Sequence, residues 1–324
     1  MALAILHSPE EWTARFGTAL RTVLTVGNFD GLHLGHQKIL RLTVARARAS
    51  GHLAAVVTFD PHPIRVLRPS QSPLLLQTLA QRLDGFAEMG LDAALVMRFD
   101  RTLSLLSPEE FLERILVERL RTSAILVGAN FCFGHRGAGD VRLLSQFGRQ
   151  HDFEVETVAP VEIEGQVVSS TTVRSAIAQA DVAGALKMLG RPFSLTGTIQ
   201  PGEGRGQSLV FPTLNLAPEQ ELLPKLGVYA TESVVQGTVH RSVTNVGTRP
   251  TFDGHGVTVE SHLLDFKRRI TAGPMEVRFW AHLRAEQKFS SPEALREQIA
   301  RDIAAAREFF ARRDALPVDS PDAG

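Results

Sequence analysis

The side chains with the most chemistry to offer cluster in Gly27-Asn28-Phe29-Asp30-Gly31-Leu32-His33-Leu34-Gly35-His36. His33 and His36 stand three residues apart, so on a first helical turn both rings can face one way. Imidazole donates hydrogen bonds to phosphate oxygens, and charge-assisted bonds are the stronger kind. An apolar run over 23–26 leads in and reads as a buried strand. Residues 37–48 follow as a helix, with Ile39, Leu40, Thr43, Val44 and Ala47 on one side. A strand, a glycine-rich turn and a helix make an anion seat, because free N–H groups and the helix dipole both favour negative charge. The stretch reads as the grip on a nucleotide triphosphate, with Gly27, Asn28, Phe29 and Asp30 among its binding residues.

Three further stretches each follow a strand-like run. Thr58-Phe59-Asp60-Pro61-His62-Pro63 fixes a rigid turn through its prolines and would hold His62 still; a loop histidine without a role is the plainer reading. In Gly128-Ala129-Asn130-Phe131-Cys132-Phe133-Gly134, Asn130 offers a donor and an acceptor suited to a ring edge. Phe131 and Phe133 suit a core or a flat ligand, and Cys132 reads as a small buried hydrophobe. Ser169-Ser170-Thr171-Thr172-Val173-Arg174 opens a helix whose apolar pattern runs through Val173, Ile177, Val182, Leu186 and Leu189. Capping explains the hydroxyls of Ser170 and Thr171. It does not explain Arg174, whose guanidinium makes a phosphate fork.

The second half has two such stretches. Gly202-Glu203-Gly204-Arg205-Gly206 precedes Phe211-Pro212-Thr213-Leu214-Asn215. Glycines let a loop approach phosphates, and Thr213 and Asn215 offer oxygens to a hard cation such as Mg²⁺; a hairpin loop and a strand turn would look the same. Asn245-Val246-Gly247-Thr248-Arg249-Pro250-Thr251-Phe252 is followed by Glu260 within an apolar strand pattern. Strands disfavour glutamate, so an exposed edge, a surface position or a function must account for it.

The elements that would position these residues are legible from periodicity. Strands are expected at 23–26, 53–59, 93–97, 124–127 and 154–158, with helices at 37–49, 79–88, 108–120 and 141–149. Ser107, Pro108 and Glu110 mark one helix start as a capping box. Alternating strands and helices predict a Rossmann-like α/β unit with a parallel sheet, whose ligands bind beyond the strands' carboxyl ends. After Gly190-Arg191-Pro192 the helical signal fades into short strands such as 275–283, which predicts a small antiparallel β-barrel. A C-terminal helix closes it, capped at Ser291 with Leu295, Ile299, Ile303, Ala306 and Phe310 on its apolar stripe. The expected domains are 1–189 and 190–314, with 315–324 a flexible tail.

The totals set bounds. With 324 residues the chain has room for two cores. Its formal net charge of zero supplies no global pull toward nucleic acid or a membrane surface, so any anion must be held by local geometry. The single cysteine fits a reducing compartment. No signal peptide and no bilayer-length apolar run is visible, and the expectation is a cytoplasmic protein. There is neither G-x-x-x-x-G-K-[ST] nor G-x-G-x-x-G in the first βα turn, which counts against P-loop enzymes and ordinary dinucleotide-dependent dehydrogenases.

Taken together, these stretches resemble the bacterial bifunctional riboflavin kinase/FAD synthetase family, whose N-terminal half belongs to the nucleotidyltransferase superfamily marked by His-x-Gly-His. The resemblance runs from about Leu20 to Phe310. It implies that ATP and riboflavin yield FMN, and that ATP and FMN then yield FAD and pyrophosphate, with Mg²⁺ as cofactor. It carries His33 and His36 over as phosphate contacts, His62 and Asn130 as ATP or flavin contacts, and Ser170, Thr171 and Arg174 as triphosphate contacts. In the barrel it assigns Thr213 and Asn215 to Mg·ATP and Glu260 as the base that takes the ribityl 5′-hydroxyl proton. Gly202 and Arg205 fall in the phosphate loop. Two departures stand out: Val210 where the family has glycine, and Lys267-Arg268-Arg269-Ile270 where it has Asp-Leu-Tyr-Gly. Rival readings are an adenylyltransferase for another phosphorylated small molecule, a non-catalytic flavin- or nucleotide-binding regulator, and a metallohydrolase using Asp30, His33, His36 and His62. The oligomeric state is not legible.

Overall fold

A computed structural model describes residues 2–201, 212–251, 254–266, 268 and 270–315. The chain divides into two compact units, 1–170 and 171–324. The loop containing Gly202 and Arg205, together with Val210, Lys267, Arg269 and residues 316–324, lies outside the described residues.

The first unit runs β1 (Ala4–Leu6), α1 (Pro9–Phe16), β2 (Thr22–Val26), α2 (Leu34–Ser50), β3 (Leu53–Asp60), α3 (Pro63–Leu67), α4 (Leu79–Glu88), β4 (Ala93–Arg98), α5 (Arg101–Ser104), α6 (Pro108–Phe111), β5 (Thr122–Gly128), α7 (Val141–Gln150), β6 (Glu154–Val158) and a β7–β8 hairpin (Glu162–Ile163 and Gln166–Val167). The six-stranded sheet has the order β1-β4-β3-β2-β5-β6, and its pairs are parallel. Alternate strand residues feed two cores, as the period-two pleat requires. Leu24, Val57, Leu95 and Ile125 pack with Trp12, Leu112, Leu116 and Phe147 on one face. Val23, Val56, Ala94 and Leu126 pack with Leu40, Ala47 and Phe86 on the other. The chain winds outward from β2 through β3 and β4, then crosses back to β5 beside β2. That reversal is a topological switch point, and such crevices bind ligands.

The expected strands and helices are present, with three local differences. Residues 108–120 are not one α-helix: after α6 the backbone widens into a π-helical turn over Leu112–Val117. The bonds Glu118 N–H to Glu113 O and Leu120 N–H to Ile115 O carry the wider turn, and Leu112, Ile115 and Leu116 are all buried there. The helix opened by Ser169–Arg174 is two helices, α8 (Ser170–Ala178) and α9 (Val182–Leu189). Ala180 takes φ +67° and the Asp181 carboxylate caps Gly184, so the apolar pattern continues while the backbone turns. β1, α1, α3, α5 and the β7–β8 hairpin were not expected from the pattern.

In the second unit, α8 and α9 precede β9 (Phe193–Gln200), β10 (Leu214–Pro218), β11 (Gly227–Val235), β12 (Thr238–Thr251), β13 (Gly254–Leu263) and β14 (Pro274–Ala285). These six strands close into a barrel in the order β10-β13-β12-β11-β14-β9. α10 (Pro292–Ala315) lies on it, with Ala306 and Phe310 packed on Val228, Ala230 and Val243. On the strand faces turned away from α10, fully buried hydroxyls run in series. Ser233 pairs with Ser242 (2.8 Å), Ser242 with Thr231 (2.8 Å), Thr231 with Thr244 (2.7 Å) and Thr244 with Ser261 (2.7 Å). Each polar group is thereby satisfied without water.

Candidate active sites

The Gly27–His36 stretch sits at the carboxyl end of β2, at the switch point. Its backbone is unusual: Phe29 (φ 52°), Gly31 (φ 92°) and Leu32 (φ 42°) are all left-handed. For Phe and Leu this costs energy, and packing holds it in place. Phe29 is buried, edge-on to Phe86 at 5.7 Å and to His36 at 5.2 Å. The Asp30 carboxylate, buried, accepts the N–H groups of Leu76 (3.0 and 3.2 Å) and Gln77 (3.2 Å), while its carbonyl accepts Ser170 Oγ at 2.8 Å. Asp30 thus ties three segments of the first unit together.

His33 is the N-cap of α2. Its Nδ1 accepts the His36 N–H at 3.3 Å, which places the neutral ring's proton on Nε2. The two imidazoles stack, centroids 3.7 Å apart and 19° from parallel. His36 Nδ1 is buried with no partner among the described residues. Burial, and secondarily the neighbouring His33, hold the His36 pKa well below the ordinary histidine value. A Cβ on Gly35 would come within 3.2 Å of the His33 ring, so any larger residue here would press on that ring. The first turn of α2 therefore presents N–H groups without intrahelical partners beside two stacked rings.

The second and third stretches flank the first. Thr58-Phe59-Asp60 ends β3 and Gly128 ends β5, the two neighbours of β2. His62 caps α3 through Nδ1, which accepts Ile64 N–H at 3.3 Å, and is buried. Asn130 is exposed just beyond β5. Phe131 and Phe133 stack at 5.3 Å, with Phe133 in the core. Cys132 is exposed, contrary to expectation: the turn closed by the Phe133–Gly139 bridge buries Phe133 and points the cysteine outward. Ser170 is bonded to Asp30; Thr171 is exposed and Arg174 half-buried on α8.

One residue escaped sequence reasoning. Arg82 of α4, 3% exposed, donates from Nη1 to Asn28 O (2.9 Å) and Thr58 Oγ1 (3.3 Å), joining the first two stretches. Its signal was an arginine on the apolar stripe Leu79, Leu83, Phe86. Elsewhere, a cavity of about 310 Å³ lies at the strands' amino ends, lined by Arg21, Arg46 and Arg149. Arg21 is bonded to carbonyl oxygens and Arg46 to Glu154, and Arg149 sits in α7's last turn, where it complements the helix dipole.

In the barrel, Asn215, Glu260 and Asn245 occupy one rung across β10, β13 and β12. Glu260 is half-buried and points away from the buried Val259 and Ser261 that flank it. Because β13 is paired on both sides, an edge position no longer explains this glutamate. Thr213 is exposed just before β10, and His262 Nδ1 lies 2.9 Å from Pro212 O. Among the described residues no three His, Cys, Asp or Glu side chains form a metal-binding group, which leaves the metallohydrolase reading without a ligand set.

Comparison with known families matches residues 17–172 to FAD synthetase and residues 189–310 to riboflavin kinase. A Pseudomonas fluorescens bifunctional riboflavin kinase/FMN adenylyltransferase is 39% identical, over 89% of this chain and 93% of its own. The chain belongs to this bifunctional family. The relative of the same name from Escherichia coli (strain K12) is 36% identical over 89% and 92% of the two chains, and that from Listeria monocytogenes is 34% identical over 96% and 99%. The chain is accordingly a transferase with riboflavin kinase and FMN adenylyltransferase activities, and ATP is the co-substrate of both. A solved Streptococcus pneumoniae structure described as a macrolide-efflux protein shares the fold, with TM-score 0.84, 27% identity and coverage of 95% and 99%. No described helix here is long and apolar enough to cross a membrane.

Proposed function

We propose that the two activities divide between the two units by the chemistry of their nucleophiles. In the first unit, FMN phosphate attacks the α-phosphorus of ATP. The bond to the bridging oxygen breaks and pyrophosphate leaves. The nucleophile is already an anion, so no side-chain base is needed; positioning and charge stabilisation suffice. His33 and His36 donate to the polyphosphate, with Gly27, Asn28, Phe29 and Asp30 shaping the approach. His62 and Asn130 contact ATP or the flavin, and Ser170, bonded to Asp30, contacts the triphosphate. The observation that carries this reading is the pair of stacked imidazoles on the α2 N-terminus at the switch point.

In the barrel unit, the riboflavin 5′-hydroxyl attacks the γ-phosphorus of ATP as its proton passes to Glu260, and ADP leaves. A neutral alcohol needs such a base. Asn215 and Thr213 would hold Mg²⁺, with Gly202 and Arg205 near the phosphates. Their hydroxyl and amide oxygens fit a cation that keeps waters and binds mainly through substrate phosphates, and the shared rung of Asn215 and Glu260 supports the assignment. When bound, Mg²⁺ offsets phosphate charge. The substrates are small molecules, and the reaction takes place in the cytoplasm.

One incubation tests the division. Riboflavin, ATP and Mg²⁺ should give FMN and then FAD by chromatography. His33→Ala with His36→Ala should stop at FMN, whereas Glu260→Gln should spare added FMN but not convert riboflavin. Loss of both steps from either folded variant overturns the two-site reading.

A further inference from the structure

We infer that Arg82 is a positioning residue for adenylyl transfer, and that α4 is the template on which the nucleotide cradle is shaped. The inference rests on the reading of the first unit given above. Four contacts join this region to the 27–33 turn. The Leu76 and Gln77 N–H groups, just ahead of α4, hold the Asp30 carboxylate. Arg82 Nη1 holds the Asn28 carbonyl. Gly85 leaves room for Leu32, whose Cδ1 would lie 2.2 Å from any Cβ placed there. Phe86 meets the Phe29 ring edge-on. Leu32 and Phe29 are the two non-glycine residues of the turn in left-handed backbone, so α4 buttresses the strained positions themselves.

Arg82 extends the brace to the second stretch. The same Nη1 reaches Thr58 Oγ1 at 3.3 Å, Thr58 Oγ1 reaches Asn28 O at 3.4 Å, and Nη2 lies 3.8 Å from Asp60. One guanidinium thus fixes the carboxyl ends of β2 and β3 relative to each other, at the positions from which His33 and His62 are launched. Burying a charge is costly, and a purely structural link could use neutral groups. Arginine keeps its proton in proteins, so a fixed positive charge, faced by the Asp30 and Asp60 carboxylates, holds the back of the 27–33 turn. Its Nε is buried with no partner among the described residues. The charge and the fork both serve a cradle that must be rigid before an anion arrives.

The test compares Arg82→Gln, Arg82→Lys and Leu116→Ala in the full chain. Leu116 is buried on the opposite sheet face and serves as a stability control. Activity is expressed per folded molecule, from thermal melts of the same samples. Arg82→Gln should lower kcat/KM for FMN adenylylation by about 10- to 100-fold, the scale of a small misplacement of reacting groups, with riboflavin phosphorylation unchanged. Arg82→Lys keeps the charge on a single donor nitrogen but loses the fork; it should recover most of kcat with the ATP KM raised a few-fold. Leu116→Ala should lower the melting temperature but not kcat/KM per folded molecule. Wild-type kinetics in Arg82→Gln, or losses matching Leu116→Ala, overturn the inference. If Arg82→Gln does not fold, an unchanged ATP KM in Arg82→Lys overturns it alone. A wild-type protein that makes no FAD would instead overturn the underlying reading.

Discussion

His36 is a histidine kept neutral by its surroundings, and that has a thermodynamic signature. Burial and the stacked His33 lower its pKa in the folded chain well below 6.5, while the unfolded chain keeps about the ordinary value. Between those two values the unfolded chain binds more protons, so stability rises with pH there. The stabilisation is fully present above about pH 6.5 and is lost as pH falls through the folded value. A His36→Phe variant should melt with a shallower acid dependence than the wild type, the difference being at most about 1.4 kcal/mol per pH unit. Melts from pH 7.5 to 5 in one salt concentration check this; parallel curves would contradict it. ATP should reverse the bias, because a triphosphate favours the charged ring. Calorimetric titrations in buffers of different ionisation enthalpy should register net proton uptake on ATP binding at pH 7, and this uptake should vanish in His36→Phe.

At the scale of elements, α2 shows what its glycine is for. Gly35 lies in the first turn, where alanine would favour the helix by up to about 1 kcal/mol. Its Cβ, however, would press the His33 ring from 3.2 Å. Gly35→Ala should therefore leave the melting temperature unchanged or raised while FMN adenylylation drops about three- to tenfold. The central elements were readable because their signals are long: β2, β3, β4 and β5 are continuous apolar runs, and α6 announces its start by the Ser107 capping box. β1 was not, since three residues at a sheet edge carry no period. α8 and α9 were merged because Ala180 turns the chain without disturbing the apolar spacing. The places of His33 and His36 at the helix start after β2, and of Glu260 inside a strand, were legible from residue type and order. Arg82 was not, because nothing in a linear pattern reveals which backbone carbonyls a buried cation will find. Cys132 was misjudged for a related reason: the turn, not the residue type, decides its exposure.

For the whole molecule, two folds in one chain make each activity a control for the other. Asp302 on α10, 5% exposed, receives Arg284 Nε (2.9 Å) and Nη2 (2.8 Å) and Gln298 Nε2 (2.8 Å). Removing it strands the guanidinium at the seam between α10 and β14. Asp302→Ala should destabilise the barrel unit by about 3–5 kcal/mol. Calorimetry should show the loss in one part of the melt, with riboflavin phosphorylation impaired at 37 °C and adenylylation of supplied FMN retained. Equal loss of both would contradict this independence.

The hydroxyl series from Ser233 to Ser261 gives the barrel an intrinsic clock. Every oxygen in it can give and take a proton, and Thr231 and Ser242 can also donate to each other's carbonyl oxygens, at 3.2 and 3.1 Å. Sealed from solvent, these protons should survive long enough to appear as discrete hydroxyl resonances. The rate at which deuterium erases them would time how often the staves part.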